Sequence, residues 1–189
     1  MRISALLVTL LCCVAPSLCQ QDALLVSGFE TLDGASMGWD AKNPDSKLAL
    51  NADTRFVSEG THSVSLQSVS PKDARGNTYL GVKLSLPEPV SVKNRALTFD
   101  AWTPEPDHTK ALYVRGYDAQ GKTVLSWMSW SGPVKTEMTS LELVPALSYP
   151  PFAWESGVVD SEQRDKVVAI EFVIGTGEPG VPYGMYIDN

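Results

Sequence analysis

The chain has 189 residues, with 22 acidic side chains against 15 basic ones and a formal net charge of −7. Nucleic acid and anionic membrane are both held through basic patches, so an acidic balance of this size weighs against either as a partner. All three cysteines, Cys12, Cys13 and Cys19, fall within the first nineteen residues.

Those nineteen residues read as a leader rather than as part of the fold. Arg2 supplies a positive start, Ala5 to Val14 form an apolar stretch, and Ser17-Leu18-Cys19 offers small residues at the −3 and −1 positions of a signal-peptidase site. The apolar run is shorter than the roughly 20 residues a membrane-spanning helix needs. The expectation is therefore cleavage after Cys19, secretion or export to the periplasm, and no membrane insertion. Residues 20–189 are expected to form one domain. That domain loses Arg2 and all three cysteines, leaving 14 basic residues against 22 acidic, a net −8. Without disulfides an exported domain has to rely on core burial, metal binding or both.

Strand signals follow one another along this domain, and no segment keeps a helical period. In chain order they are Ser63 to Val69, Tyr79 to Leu86, Ala96 to Trp102, Ala111 to Asp118, Lys122 to Trp130, Ser140 to Val144 and Val167 to Gly175. Turn residues separate them: Pro-Glu-Pro at 87–89 and 104–106, Asp-Ala-Gln-Gly at 118–121 and Gly-Glu-Pro-Gly at 177–180. The stretch 148–160, with Pro150 and Pro151 in tandem, reads as the longest loop. Short strands punctuated in this way predict an all-β fold, an antiparallel two-sheet jelly-roll β-sandwich.

Successive side chains of a strand point to opposite faces, which divides each strand into a core set and an outward set. Leu97 and Phe99 go inward, turning Asp100 and Trp102 out. Leu112 and Val114 go inward, turning Tyr113, Arg115 and Tyr117 to the other side in one row with a repeat of roughly 6.8 Å. Ile170, Phe172 and Ile174 go inward and leave Glu171 out. Trp127 and Trp130, three residues apart, fall on opposite faces, and Trp130 is the one assigned to contact. Rings beside Arg, Asp and Glu suit a sugar, whose apolar ring faces stack and whose hydroxyls hydrogen-bond. Trp154, in the stiff loop with Pro150, Pro151 and Phe152, is preferred over Trp39 as a further platform. The competing reading is that aromatics simply favour strands and pack across them.

The two ends carry one acid each. Ser27-Gly28-Phe29-Glu30 and Tyr186-Ile187-Asp188-Asn189 are read as the ends of strands that lie side by side, which would bring Glu30 and Asp188 together. Two adjacent carboxylates call for a cation or a shared proton.

Several of these segments, taken in order, carry a resemblance. Phe29-Glu30, Gly38-Trp39, Glu59-Gly60-Thr61-His62-Ser63, Leu97-Thr98-Phe99-Asp100, Tyr113 to Gly121, Ile170 to Gly175 and Tyr186-Ile187-Asp188-Asn189 together resemble the galactose-binding-like jelly roll of bacterial carbohydrate-binding modules, as appended to glycoside hydrolases. The resemblance spans nearly the whole domain. It implies a structural calcium held by Glu30, by backbone near Gly60 and by Asp188. It also implies a polysaccharide or oligosaccharide partner and an associated or fused glycoside hydrolase. Relatives of this pattern run some residues past the Ile-Asp-Asn motif, so the chain is expected to be a fragment or to end on a short strand.

No motif points to catalysis. His62 and His108 are the only histidines, and neither has a Gly-x-Ser-x-Gly setting or a His-x-x-x-His spacing. The expected function is non-catalytic glycan binding through Asp100, Trp102, Tyr113, Arg115, Tyr117, Trp130, Trp154 and Glu171. The alternatives are a small secreted polysaccharide-degrading enzyme, with Asp100 and Glu171 as the acids to consider, and a structural or adhesion module that docks protein.

Overall fold

Alternating apolar and polar residues with a period of two give strands that bury one face, and two such sheets bury each other. The computed structural model describes residues 28–39, 42–92, 97–143 and 166–189. The expected leader, the 148–160 loop and Trp154 lie outside the described residues.

Ten strands are described: β1 (Ala35–Gly38), β2 (Lys47–Asn51), β3 (Ser63–Val69), β4 (Thr78–Val90), β5 (Leu97–Trp102), β6 (Ala111–Tyr117), β7 (Thr123–Ser129), β8 (Thr139–Leu143), β9 (Val167–Thr176) and β10 (Pro182–Asp188). They form two five-stranded antiparallel sheets, one in the order β1-β4-β9-β6-β7 and the other in the order β2-β3-β10-β5-β8. The β-sandwich read from the sequence is the fold observed.

The core lies between the sheets. Leu80, Val82, Leu84, Leu112, Val114, Ile170, Phe172 and Ile174 point into it from the first sheet, and Val64, Leu66, Phe99, Ala101, Tyr183, Met185 and Ile187 from the second. Phe99 and Phe172 meet across the interface edge to face, with centroids 4.9 Å apart, a geometry that suits the aromatic quadrupole. Every inward pair assigned by alternation on β5, β6 and β9 is found inward.

Three expectations are corrected. Pro87-Glu88-Pro89 is not a turn but the exposed far part of β4, where the pairing with β9 slips between Ser85 and Val90. Proline donates no ladder hydrogen bond, so a strand containing two of them accommodates them at an irregularity. Second, Gly28-Phe29-Glu30, the described part of the segment read as the first strand, is irregular and precedes β1. Third, the first and last strands are not neighbours. β1 is the edge of one sheet, and β10 is the centre of the other, between β3 and β5.

The turn at 118–121 is as read. Asp118 Oδ1 accepts from the Gln120 and Lys122 amides at 2.9 and 2.8 Å, and Gly121 takes φ +76°, where a side chain would be strained.

Candidate functional site

The outward face of the β1-β4-β9-β6-β7 sheet holds the row predicted on β6. Register sets a line across three strands: Lys83 on β4 is opposite Glu171 on β9, and Glu171 is opposite Arg115 on β6. Charges therefore alternate along the line, the arrangement that cross-strand neighbours favour. Glu171 is 5% exposed and accepts from the Tyr117 hydroxyl at 2.5 Å. Lys83 Nζ sits 4.4 Å from the Tyr117 ring centroid, a cation–π contact. Burial, and then the hydrogen bond to Glu171, push the ionisation of Tyr117 well above the usual phenol range.

Above this line sits an aromatic cluster. Tyr79 packs edge to face against Trp39, Tyr113 and Trp130, with centroids 5.3, 5.6 and 6.2 Å away. Trp130 Nε1 donates to the Tyr113 hydroxyl at 3.0 Å. The Arg115 guanidinium lies 4.7 Å from the Trp39 ring centroid and 5.3 Å from that of Tyr113. Burial, and then the neighbouring Tyr79 hydroxyl, raise the ionisation of Tyr113.

Glycines make this arrangement possible. A Cβ at Gly81 would come within 3.3 Å of Trp39, one at Gly175 would sit 2.7 Å from the Tyr79 ring, and one at Gly38 would run into the Glu171 carboxylate. Each missing side chain leaves a recess in the pleat into which a large neighbour settles. The result is a face with rings on one side and a polar line on the other, with Trp39 and Trp130 the most open, each 38% exposed.

The residues assigned to this face from sequence divide. Tyr113, Arg115, Tyr117, Glu171 and Trp130 come together here, although Tyr113 and Arg115 are each only 3% exposed and lie packed among the other rings rather than standing free. Asp100 and Trp102 do not join them. They point away from the core, as expected, but on β5 of the opposite sheet, where they are 8% and 3% exposed and Asp100 accepts from Ser140 Oγ at 2.5 Å. Trp127 packs on the core, as the three-residue spacing implied. Trp39, Tyr79 and Lys83 were absent from the sequence-derived set. For Tyr79 and Lys83 a signal existed, since both alternate with Leu80, Val82 and Leu84. Trp39 lies just beyond β1 with φ +39°, a conformation no strand pattern announces.

The terminal acids do not lie on paired strands; each holds one end of the same loop. The Ser58 amide and hydroxyl donate to Asp188 Oδ2 at 2.6 and 3.1 Å, and the Glu59 amide does so at 3.0 Å. The Thr61 amide donates to Glu30 Oε1 at 2.7 Å and its hydroxyl to Glu30 Oε2 at 2.6 Å. The two carboxylates thus grip opposite ends of residues 58–62. Between them Gly60 takes φ +72°, where a Cβ would strike the Glu30 carboxylate. The Thr61 hydroxyl, then its amide, and the His62 ring hold the Glu30 carboxyl down to about 2. His62 and His108 each face a carboxylate, Glu30 at 3.3 Å and Glu178 at 3.2 Å.

No family model matches the chain, and no curated protein is similar to it in sequence. Its fold is nevertheless that of known β-sandwich modules. The family 11 carbohydrate-binding module of the cellulosomal cellulase Lic26A-Cel5E of Clostridium thermocellum matches with a TM-score of 0.57 at 14% identity, over 86% of this chain and 88% of that one. The Clostridium thermocellum family 11 module in complex with a β-1,3-1,4-mixed-linked tetrasaccharide matches equally, at 15% identity over 86% and 90% of the two chains. An exo-β-agarase matches at TM-score 0.51 and 14% identity, with 83% of this chain covering 22% of that one.

Proposed function

We propose that this chain is an exported, non-catalytic carbohydrate-binding module whose glycan lies on the outward face of the β1-β4-β9-β6-β7 sheet. The observation that carries the reading is the joining on one face of four rings, Trp39, Tyr79, Tyr113 and Trp130, with the polar line Lys83, Glu171, Arg115 and Tyr117. The open Trp39 and Trp130 rings contact the C–H faces of a sugar, and the half-buried Lys83 and Tyr117 bond its hydroxyls, over a base packed from Tyr113, Arg115 and Glu171. Likeness of fold to a module solved with a mixed-linkage tetrasaccharide supports the same reading. The leader-like start supports export, and no helix among the described residues is long and apolar enough to cross a membrane. An associated glycoside hydrolase would be the natural beneficiary, since a module of this kind holds an enzyme against polysaccharide.

Calcium belongs to the proposal. Glu30 and Asp188 supply hard oxygen donors on either side of the Gly60 turn, the ligand type calcium takes. Among the described residues no three acidic, histidine or cysteine side chains gather, and the 58–62 loop turns amides and hydroxyls toward both acids, so an ion would have to take the carboxylate lone pairs those donors leave free. The ion would supply cross-linking charge between the 58–62 loop and β10, and no binding step on the sugar face depends on it.

Affinity electrophoresis through gels containing soluble mixed-linkage β-glucan, β-1,4-galactan, xyloglucan or agarose tests the function. Retardation that is weakened in Trp39→Ala and Tyr117→Ala supports it; migration unaffected by every polymer in the panel would remove it.

A further inference from the structure

On the opposite side of the sandwich, the outward face of the β2-β3-β10-β5-β8 sheet holds a groove of about 360 Å³, inside the roughly 300–1,000 Å³ range of small-molecule sites. It runs over β2, β3 and β10 to the connection after β5. None of its lining residues belongs to the ring-and-charge face.

The floor of this groove is built and rigid. Gly184 has no room for a side chain, since a Cβ there would lie 2.8 Å from the Leu66 carbonyl oxygen. Its carbonyl is held by two buried threonines: Thr103 Oγ1 donates to it at 2.6 Å, and Thr109 Oγ1 does so at 3.1 Å. The Tyr186 ring stacks on Phe56 at 4.1 Å with an interplanar angle of 2°, and its hydroxyl accepts from Gln67 Nε2 at 3.0 Å. Tyr186, Gln67 and Gly184 therefore hold fixed positions before any ligand arrives, the condition that lowers the ordering cost of binding.

The walls mix the functional groups a sugar uses. Asp45 and Glu105 present carboxylate acceptors, Lys47 and Gln67 present donors, and Val69, 38% exposed, offers apolar surface. The Glu105 amide donates to Thr103 Oγ1 at 3.1 Å, which links that acid to the same threonine that fixes Gly184. Two carboxylates against one ammonium disfavour an anionic polymer and suit neutral hydroxyls.

We propose that this groove is a second glycan site, taking a short stretch of neutral polysaccharide on the face opposite the first. For its ligand class it rests on the function proposed above. Two sites facing opposite ways let one module bridge two chains, and the gain comes as avidity on long polymer rather than as tighter binding of a short oligosaccharide.

Two double variants separate the sites in the same gels. Asp45→Ala with Gln67→Ala empties the groove, and Trp39→Ala with Lys83→Ala disables the first face; circular dichroism melting confirms that each still folds. The groove variant is expected to bind about tenfold more weakly to the polymer that retards wild type, as loss of two ordinary hydrogen bonds implies. The first-face variant is expected to keep residual retardation by the neutral polymer and to show none with polygalacturonate; the reverse pattern overturns the neutral-glycan assignment. A groove variant that migrates like wild type overturns the second site and leaves the first intact. No retardation of wild type by any neutral polymer removes both.

Discussion

Trp39 reaches Arg115 across two intervening strands. Trp39 follows the edge strand β1, Arg115 stands on β6, and β4 and β9 lie between, yet the guanidinium is 4.7 Å from the ring centroid. The ring travels over Gly81, where an ordinary side chain would block it. An edge residue in a left-handed conformation thereby becomes part of the centre of the face.

The backbone at Trp39 separates strain from contact. Glycine accepts φ +39° freely, whereas a side chain pays roughly 1 kcal/mol there. Trp39→Gly should therefore be more stable than Trp39→Ala by about that amount in urea denaturation, while both weaken glycan retardation equally. Equal stabilities would argue that the turn carries no strain.

Gly175→Ala places a methyl 2.7 Å from the Tyr79 ring and 3.0 Å from the Thr78 carbonyl oxygen. Overpacking of this kind costs about 1–3 kcal/mol, so the melting temperature should fall and retardation should weaken as Tyr79 is displaced. A variant as stable as wild type, with full retardation, would show that Tyr79 is not seated in that recess.

Alkaline pH tests the Tyr117–Glu171 contact. Burial and the hydrogen bond to Glu171 raise the ionisation of folded Tyr117 above that of the unfolded chain, near 10. The neutral phenol is thus favoured by folding. That stability is complete below about pH 10 and declines as the pH rises toward the raised value. Tyr117→Phe removes the titrating group, so its urea midpoint should fall less steeply above pH 10 than that of wild type. Parallel declines would mean that Tyr117 titrates alike in both states.

The loop clip makes two separable predictions. Asp188→Ala strips the acceptor from the Ser58 and Glu59 amides and should cost about 3 kcal/mol in urea denaturation, because hydrogen bonds to a charged group are the strong kind. Bound calcium would add to wild-type stability by mass action, about 3 kcal/mol at a hundredfold excess over Kd. EDTA should then lower the melting temperature of wild type and leave that of Glu30→Ala unchanged. A wild-type melting curve indifferent to EDTA would leave the clip as hydrogen bonds alone.

What the chain determined by itself was local. A period of two states which side of its own strand a residue occupies, and so β3 was delimited at Ser63–Val69 and Phe99, Val114 and Phe172 were turned inward correctly. The pairing of Trp127 in the core with Trp130 outside follows from the same rule. Tertiary structure decided everything that depends on which strands become neighbours. Alternation placed Asp100, Trp102 and Tyr113 all outward but could not say that the first two face away from the third on a different sheet. It could not bring Trp39 over Arg115, because that contact needs the order β1-β4-β9-β6 and the bare backbone of Gly81. The terminal acids illustrate the same limit: the sequence set Glu30 and Asp188 side by side on neighbouring strands, whereas each holds a different end of the loop 58–62, which only long-range packing brings to them.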